Sequence, residues 1–190
     1  MKHKIIYIPG LGDGYDPLRK LALRLWTRRD VSVELVPMRW SMGDSYERAF
    51  DRVHRRVVQS QQGGYTVSLI GESAGGAMAI NMFATHDTIH RLITIAGVNS
   101  PKAPVAQHLR DTAPAFDGAL LKLPAALSLV NTTQRRKIIN FTARADPTVA
   151  PRHSRITGAQ HHTVAMIGHL TTIAFCLTFA RKKIIDAITR

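Results

Sequence analysis

The sequence has little cysteine, few acidic residues and no long apolar run. The chain has a single cysteine, Cys176, so no intrachain disulfide can form. A lack of disulfides is typical of proteins in a reducing compartment. The longest apolar segment near the carboxyl terminus, residues 173–180, is far shorter than the roughly 20 residues of a membrane helix. The amino-terminal apolar run is stopped by Pro9 and Gly10 after only four residues, too few for a signal peptide. We therefore expect a cytoplasmic, soluble protein without a membrane span.

Acidic side chains are scarce relative to basic ones. The chain has 13 Asp and Glu against 26 Lys and Arg, a formal net charge of +13, with most of the excess after residue 95. Such a charge attracts nucleic acids, anionic membranes and acidic substrates. No RNA-binding aromatic motif, zinc-finger spacing or helix-turn-helix pattern accompanies the charge. A solvated basic surface is therefore the preferred interpretation, and no obligatory nucleic-acid partner is predicted.

The length and the apolar pattern predict an α/β fold. With 190 residues, the chain is expected to form a single domain (1–190) with one hydrophobic core. Short apolar runs alternate with amphipathic stretches, which favours βαβ units and a parallel sheet. We predict a three-layer α/β/α sandwich around a mostly parallel six-stranded sheet. The predicted strands cover residues 4–8, 31–36, 66–70, 92–96, 138–142 and 163–167.

One segment interrupts this alternation. About forty residues between Gly97 and Lys137 contain four prolines and no clear strand. Because a structureless loop of that length is uncommon in a compact domain, we expect an insertion at about 98–136 with short helices at 116–121 and 124–130. Its apolar side chains could line an acyl pocket, but packing on the core is preferred. The other predicted helices cover residues 17–28, 45–61, 74–84 and 170–188.

The strongest local motif is Gly71-Glu72-Ser73-Ala74-Gly75, a G-x-S-x-G sequence between a predicted strand and a predicted helix. A turn this tight leaves no room for bulky neighbours. It presents the serine hydroxyl at the amino end of a helix, where the helix dipole favours developing negative charge. A plain Gly-rich turn is the weaker interpretation. Ser73 is therefore the predicted nucleophile.

A serine nucleophile needs a base, and the base needs an orienting acid. Asp146 is the only later carboxylate that follows a good predicted strand, at the edge where parallel sheets build their sites. His169 follows the last predicted strand and is expected at the same edge. His161 and His162 begin that strand, and a metal site made with them lacks ligand spacing. We predict Asp146 as the orienting acid and His169 as the base; a turn at Asp146 and a capping role for His169 are the alternatives. No metal is expected.

An oxyanion hole requires two backbone N–H groups aimed at the developing charge. Ala74, which follows the predicted nucleophile, should supply one of them. The loop after the first strand should supply the other, from Leu11 as first choice or Gly12 as second. This Gly-rich loop lacks the Walker lysine and the dinucleotide spacing, so no cofactor is expected.

These motifs together resemble the α/β-hydrolase superfamily, in particular its small bacterial serine hydrolases with little or no cap domain. The resemblance covers nearly the whole chain and rests on residues 8–12, the elbow around Ser73, the Asp146 loop and residues 168–169. Many members have His-Gly in place of residues 9–10. The sequence starts at the strand that carries the first loop, so we expect a minimal version of the fold.

The resemblance implies a serine esterase, a carboxylesterase or thioesterase in type. It would cleave a small-molecule carboxylic ester or thioester through an acyl-enzyme, but its motifs do not specify the acyl group. Two other classes remain open: a non-catalytic binding protein on the same fold, and a basic nucleic-acid-associated protein. An intact Ser, Asp and His set argues against the first. Steeply salt-dependent retention of DNA or RNA would support the second.

Overall fold

The computed structural model describes residues 2–190, which form six strands and eight helices. The strands are β1 (His3–Ile8), β2 (Val31–Leu35), β3 (Thr66–Glu72), β4 (Leu92–Ile95), β5 (Ile138–Ala145) and β6 (Gln160–Ile167). The helices are α1 (Asp16–Arg24), α2 (Tyr46–Gln62), α3 (Gly75–Thr85), α4 (Gln107–Thr112), α5 (Pro114–Leu129), α6 (Thr132–Arg135), α7 (His169–Thr178) and α8 (Arg181–Thr189).

All six strands belong to one sheet in the order β2-β1-β3-β4-β5-β6, and every neighbouring pair is parallel. The predicted α/β class is confirmed, with a sheet that is wholly rather than mostly parallel. The chain moves outward from β1 to β2, returns to β3 and then proceeds in one direction to β6. The strand order therefore reverses between β1 and β3, and open parallel sheets bind ligands at the carboxyl ends of strands beside such a reversal.

Two apolar clusters cover the two faces of the sheet. Helices α2, α3 and α5 pack on one face, and α1, α7 and α8 pack on the other. Side chains of strand β1 enter both clusters in alternation: Ile6 and Ile8 enter the first, while Ile5 and Tyr7 enter the second. A strand covered on both sides reads as a continuous apolar run because neither face meets water. This arrangement is the expected three-layer sandwich.

The segment between β4 and β5 differs from the prediction. Helix α5 runs through Pro124, so the expected pair of short helices with a break before this proline was wrong. An interior proline costs about 3 kcal/mol of local helix stability. The helix nevertheless continues because Ala119, Leu123 and Ala126 are buried along its side and enter the core under α3. The short helices α4 and α6 were not predicted.

The carboxyl-terminal region also differs. One helix was expected over 170–188, but the helix is interrupted at Phe179 and Ala180, whose N–H groups both donate to the carbonyl of Phe175.

Helix α1 ends at Arg24 rather than at residue 28, because the buried Trp26 turns inward and its indole donates to the Leu177 carbonyl at 2.8 Å. Strand β5 is longer than predicted and ends directly before Asp146. No helix within residues 2–190 has the length and apolarity needed to cross a bilayer.

Candidate active site

Ser73 lies on a strained turn between β3 and α3. Its φ of 49° is in the left-handed region, which non-glycine residues rarely adopt. Close packing enforces the turn: a Cβ on Gly71 would lie 2.7 Å from the Ala79 Cβ, and one on Gly75 would lie 2.2 Å from the Ile8 carbonyl oxygen. Both motif glycines are therefore required by the contact of α3 with the sheet. The turn leaves Ser73 partly exposed at the carboxyl edge.

His169 bridges Ser73 and Asp146. Its Nε2 lies 2.8 Å from the Ser73 Oγ, and its Nδ1 lies 2.7 Å from the Asp146 Oδ2. The imidazole occupies this position because His169 begins α7 with only Gly168 between it and β6, while Asp146 directly follows the neighbouring β5. The structure thus brings together all three side chains that the sequence assigned to this edge. Their contacts match those of a nucleophile, a base and an orienting acid.

Asp146 is buried, and both of its carboxylate oxygens accept hydrogen bonds. Oδ1 accepts from the backbone N–H groups of Thr148 (2.8 Å) and Val149 (2.9 Å), while Oδ2 faces His169. Burial alone would raise the pKa of Asp146, but the hydrogen bonds from His169 and the two N–H groups outweigh it and hold the pKa below its ordinary value. An ionised Asp146 binds His169 through an Nδ1–H group. Nε2 is then left to accept the Ser73 proton.

Of the two predicted oxyanion donors, Ala74 directly follows Ser73, and Leu11 lies in the loop after β1. The loop after β1 passes against the nucleophile, since a Cβ on Gly10 would lie 2.6 Å from the Ser73 Cβ. Within residues 2–190, the backbone N–H groups of Leu11 and Ala74 donate no hydrogen bond, and neither does that of Gly12, the second choice. The Gly10 N–H instead points to the Glu72 Oε1 at 3.4 Å. The N–H groups of Leu11 and Ala74 therefore have no acceptor among residues 2–190, as the predicted role requires.

A buried ion network lies beneath this loop. Arg19 donates from Nε and Nη2 to the Glu72 carboxylate at 2.6 to 3.1 Å, and from Nη1 to the Asp16 Oδ1 at 3.0 Å. The Tyr7 hydroxyl also donates to Glu72. Glu72 is 0% and Arg19 6% exposed. Burial, together with the charge of Glu72, raises the pKa of Tyr7 well above its usual value, so its hydroxyl stays protonated as a donor.

The same guanidinium also holds the loop that carries Leu11, one of the two predicted oxyanion donors. Its Nη2 donates to the Leu11 carbonyl at 3.2 Å, and its Nη1 to the Gly12 carbonyl at 2.9 Å. Arg19 therefore connects this loop to Glu72, the residue directly before Ser73. The sequence pattern did not reveal the network. One signal was present, since a glutamate at the end of a strand covered on both faces requires a buried partner for its charge.

The other predicted features have structural roles. His161 and His162 lie in β6, where they contact Asn140 and Phe141. Within the described part of the chain, no three His, Cys, Asp or Glu side chains are grouped so that they could hold a metal ion. On α5, Phe116 is buried in the core whereas Leu121 is exposed. Core packing therefore accounts for much of the apolar face of α5.

Comparison with known proteins identifies the fold. No protein-family model matches the chain, and no curated protein matches it. A solved structure from the metagenome-derived lipolytic enzymes LipS and LipT superposes with a TM-score of 0.69 at 9% identity, covering 97% of this chain and 91% of that one. Est1E from Butyrivibrio proteoclasticus gives a TM-score of 0.67 at 13% identity, covering 100% and 89%. The bottromycin epimerase BotH gives 0.61 at 17% identity, covering 99% and 91%. The chain has the α/β-hydrolase fold, which hosts esterases and other activities.

Proposed function

We propose that this protein is a serine hydrolase that cleaves a carboxylic ester or thioester through an acyl-enzyme. The observation that carries the proposal is the continuous pair of hydrogen bonds from Asp146 through His169 to Ser73. Support also comes from the strained backbone of Ser73 and from its place beside the reversal in strand order. The esterases and lipolytic enzymes among the structural neighbours agree with a hydrolase in general terms.

The mechanism begins when the Ser73 Oγ attacks the acyl carbon and its proton passes to the His169 Nε2. Asp146 stabilises the imidazolium that forms, while the N–H groups of Leu11 and Ala74 bind the oxyanion. His169 then gives its proton to the departing alcohol or thiol, which leaves the acyl group on Ser73. A water molecule attacks this ester, gives a proton to His169 and releases the carboxylic acid. The proton on His169 returns to the Ser73 oxygen, which restores the free enzyme.

Arg19 acts as a positioning residue in this scheme. Because a peptide bond is planar and trans, holding the Leu11 carbonyl against the guanidinium directs the Gly12 N–H away from it. The same contact limits rotation about Leu11, whose own N–H then keeps a fixed direction. The loop needs this restraint, since Gly12 adopts a φ of 89° and has little conformational preference of its own. Donors that are fixed before charge develops stabilise a transition state most effectively.

A fluorophosphonate tests the proposal because it reacts with activated serines. Intact-mass analysis should show one adduct on the wild type and none on Ser73→Ala or His169→Ala. Ser100→Ala, which removes another partly exposed serine, should label like the wild type. Circular dichroism of each variant would establish that loss of labelling is not loss of folding.

The substrate class then follows from kinetics on matched compounds. Comparing kcat/KM on aryl esters and acyl thioesters of equal acyl chain length distinguishes an esterase from a thioesterase. Comparing kcat/KM over a series of acyl chain lengths then measures how long an acyl chain the site accepts. A folded wild-type protein that forms no adduct would contradict the proposal. An adduct that persists in Ser73→Ala would do the same.

A further inference from the structure

A basic cavity lies at the edge of the sheet opposite Ser73. A cavity of about 760 Å³ opens between α8 and the first residues of β5 and β6. Its wall includes Ile139, Gln160 and His162 from these strands, and Arg91 from the residue before β4. Parallel strands begin at the edge opposite to the one where they end, so this cavity is separate from the triad. Its volume is typical of small-ligand sites, which span about 300–1,000 Å³.

The cavity carries an excess of positive charge. Its only acidic lining residue is Asp186, which faces Arg28 at 3.6 Å. The lining cations form no ion pair with any described residue. These cations are Arg91, Lys182, Lys183 and Arg190. The wall is therefore complementary to an anion with several negative charges.

Arg91 gives this charge a specific geometry. Its Nε is shielded from solvent and has no hydrogen-bond acceptor within residues 2–190. Buried polar groups almost always find a partner, so a donor that lacks one requires an explanation. A guanidinium presents its N–H groups in a planar fork that matches the oxygens of a phosphate group. Arg91 lines the cavity, so an oxygen anion there would lie beside this guanidinium.

Two histidines at this edge have pKa values below the ordinary value, and nearby cations contribute to both shifts. Burial lowers the pKa of His162, and the charge of Lys183 lowers it further. Burial likewise lowers the pKa of His90, with contributions from Arg91 and Lys137. Both imidazoles are therefore neutral near pH 7. The positive charge at this edge is therefore carried by its lysines and arginines.

An exposed aromatic ring completes the wall. Phe179 lines the cavity, is 81% exposed and stacks on Phe175 with ring centroids 5.9 Å apart. Sites for single-stranded nucleic acid combine cations along the backbone with aromatic side chains on which bases stack. A second cavity of about 710 Å³, lined in part by Arg28 and Arg29, adjoins the first through Arg190. Cations therefore continue beyond the space that a single phosphate would fill.

We propose that this basic cavity binds a ligand with phosphate groups and an aromatic base, as nucleotides and single-stranded nucleic acids have. The phosphates contact Arg91 and the cations of α8, and the base stacks on Phe179. The proposal does not depend on the hydrolase activity, because no residue of the cavity belongs to the Ser73 site.

Fluorescence anisotropy with a labelled oligo(dT) strand tests this proposal on the full chain. Replacing Lys182 and Lys183 with Gln should weaken binding about ten-fold and lower the slope of log affinity against log salt by about 1 to 2. Phe179→Ala should also weaken binding about ten-fold. The matched control is Arg48→Gln with Arg55→Gln on α2, which removes the same charge from the other face of the sheet and should change affinity less than about two-fold.

Competition identifies the source of the phosphate. Displacement of the strand by AMP supports a nucleotide site, whereas binding of the strand without displacement supports a nucleic-acid site. Equal weakening in the two double variants would overturn the proposal, because it would indicate diffuse charge alone. Loss of all binding at about 0.15 M salt would overturn it for the same reason. Inorganic phosphate that competes as well as AMP, with Phe179→Ala unchanged, would overturn the role of the aromatic ring.

Discussion

Replacing Gly10 with alanine tests how closely the loop after β1 must approach the nucleophile. The new Cβ would stand 2.6 Å from the Ser73 Cβ and 3.1 Å from both the carbonyl oxygen and the Oε1 of Glu72. Carbon atoms in contact normally lie about 3.5–4.0 Å apart. The loop must therefore retreat by about 1 Å. Because Leu11 follows Gly10 directly, its N–H group retreats with the loop.

The size of the effect follows from this displacement. A retreat of about 1 Å stretches a hydrogen bond from about 2.9 Å to a length at which it no longer forms. Removing one oxyanion-hole donor lowers kcat about 10²–10³-fold, since the lost contact belongs to the transition state. Overpacking costs about 1–3 kcal/mol of unfolding free energy, which lies within the margin of about 5–15 kcal/mol of a typical protein. Gly10→Ala should therefore fold and yet be nearly inactive.

Gly14 offers a matched control in the same loop, because a Cβ on this residue would meet no atom within 4 Å. Both variants should be compared with the wild type by kcat and KM on an aryl ester and by urea denaturation. We expect kcat to fall at least about 100-fold in Gly10→Ala and less than about two-fold in Gly14→Ala. Wild-type kcat in Gly10→Ala would refute the inferred contact between loop and nucleophile. Equal losses of kcat in both variants would indicate that reduced loop flexibility, rather than contact with Ser73, causes the effect.

Two further predictions concern charge. Asp146→Asn should lower kcat by roughly 10⁴-fold with the fold intact, because an amide in this position favours the wrong imidazole tautomer; a loss below about ten-fold, measured on the same ester, would contradict the orienting role. Burial lowers the pKa of His3 to about 4. The unfolded chain therefore binds a proton at His3 more readily than the folded chain does. As a result, the free energy of unfolding falls as the pH drops from about 6.5 toward 4. His3→Gln should therefore remove about 1–2 kcal/mol of the stability difference between pH 7 and pH 5. Urea denaturation at the two pH values measures this, and an unchanged difference would show that His3 is not its source.

The sequence allowed much of the candidate site to be predicted because its signals are local. Ser73, Asp146 and His169 each follow a predicted strand at once or within a few residues, and the carboxyl ends of parallel strands share one edge. The G-x-S-x-G spacing also specified a turn whose glycines have no room for a side chain. Mutual contact of the three side chains could therefore be inferred without knowledge of the rest of the fold.

The features that were missed depend on contacts between distant segments. Pro124 predicts a helix boundary by local rules, but burial of Leu123 beside it keeps α5 continuous. A glutamate at the end of a buried strand implies a buried partner for its charge. Nothing near Glu72 in the sequence identifies that partner as Arg19, which lies 53 residues away. The sequence around Arg19 does not separate it from Lys20, a neighbouring cation that is exposed. Only the packing of α1 against the sheet distinguishes them.

The position of the ion network indicates why it is charged. A buried salt bridge contributes little net stability compared with well-packed apolar side chains, so stability alone does not explain why Arg19 and Glu72 occupy a core beside Ser73. Apolar residues in their place could fill the same volume, but they would leave the carbonyls of Leu11 and Gly12 without their donor. The loop would then be free to turn its N–H groups away from the nucleophile. We infer that the charge is retained for the geometry it imposes. If so, Arg19→Lys, which keeps the charge but loses the fork, should reduce kcat more than it raises KM.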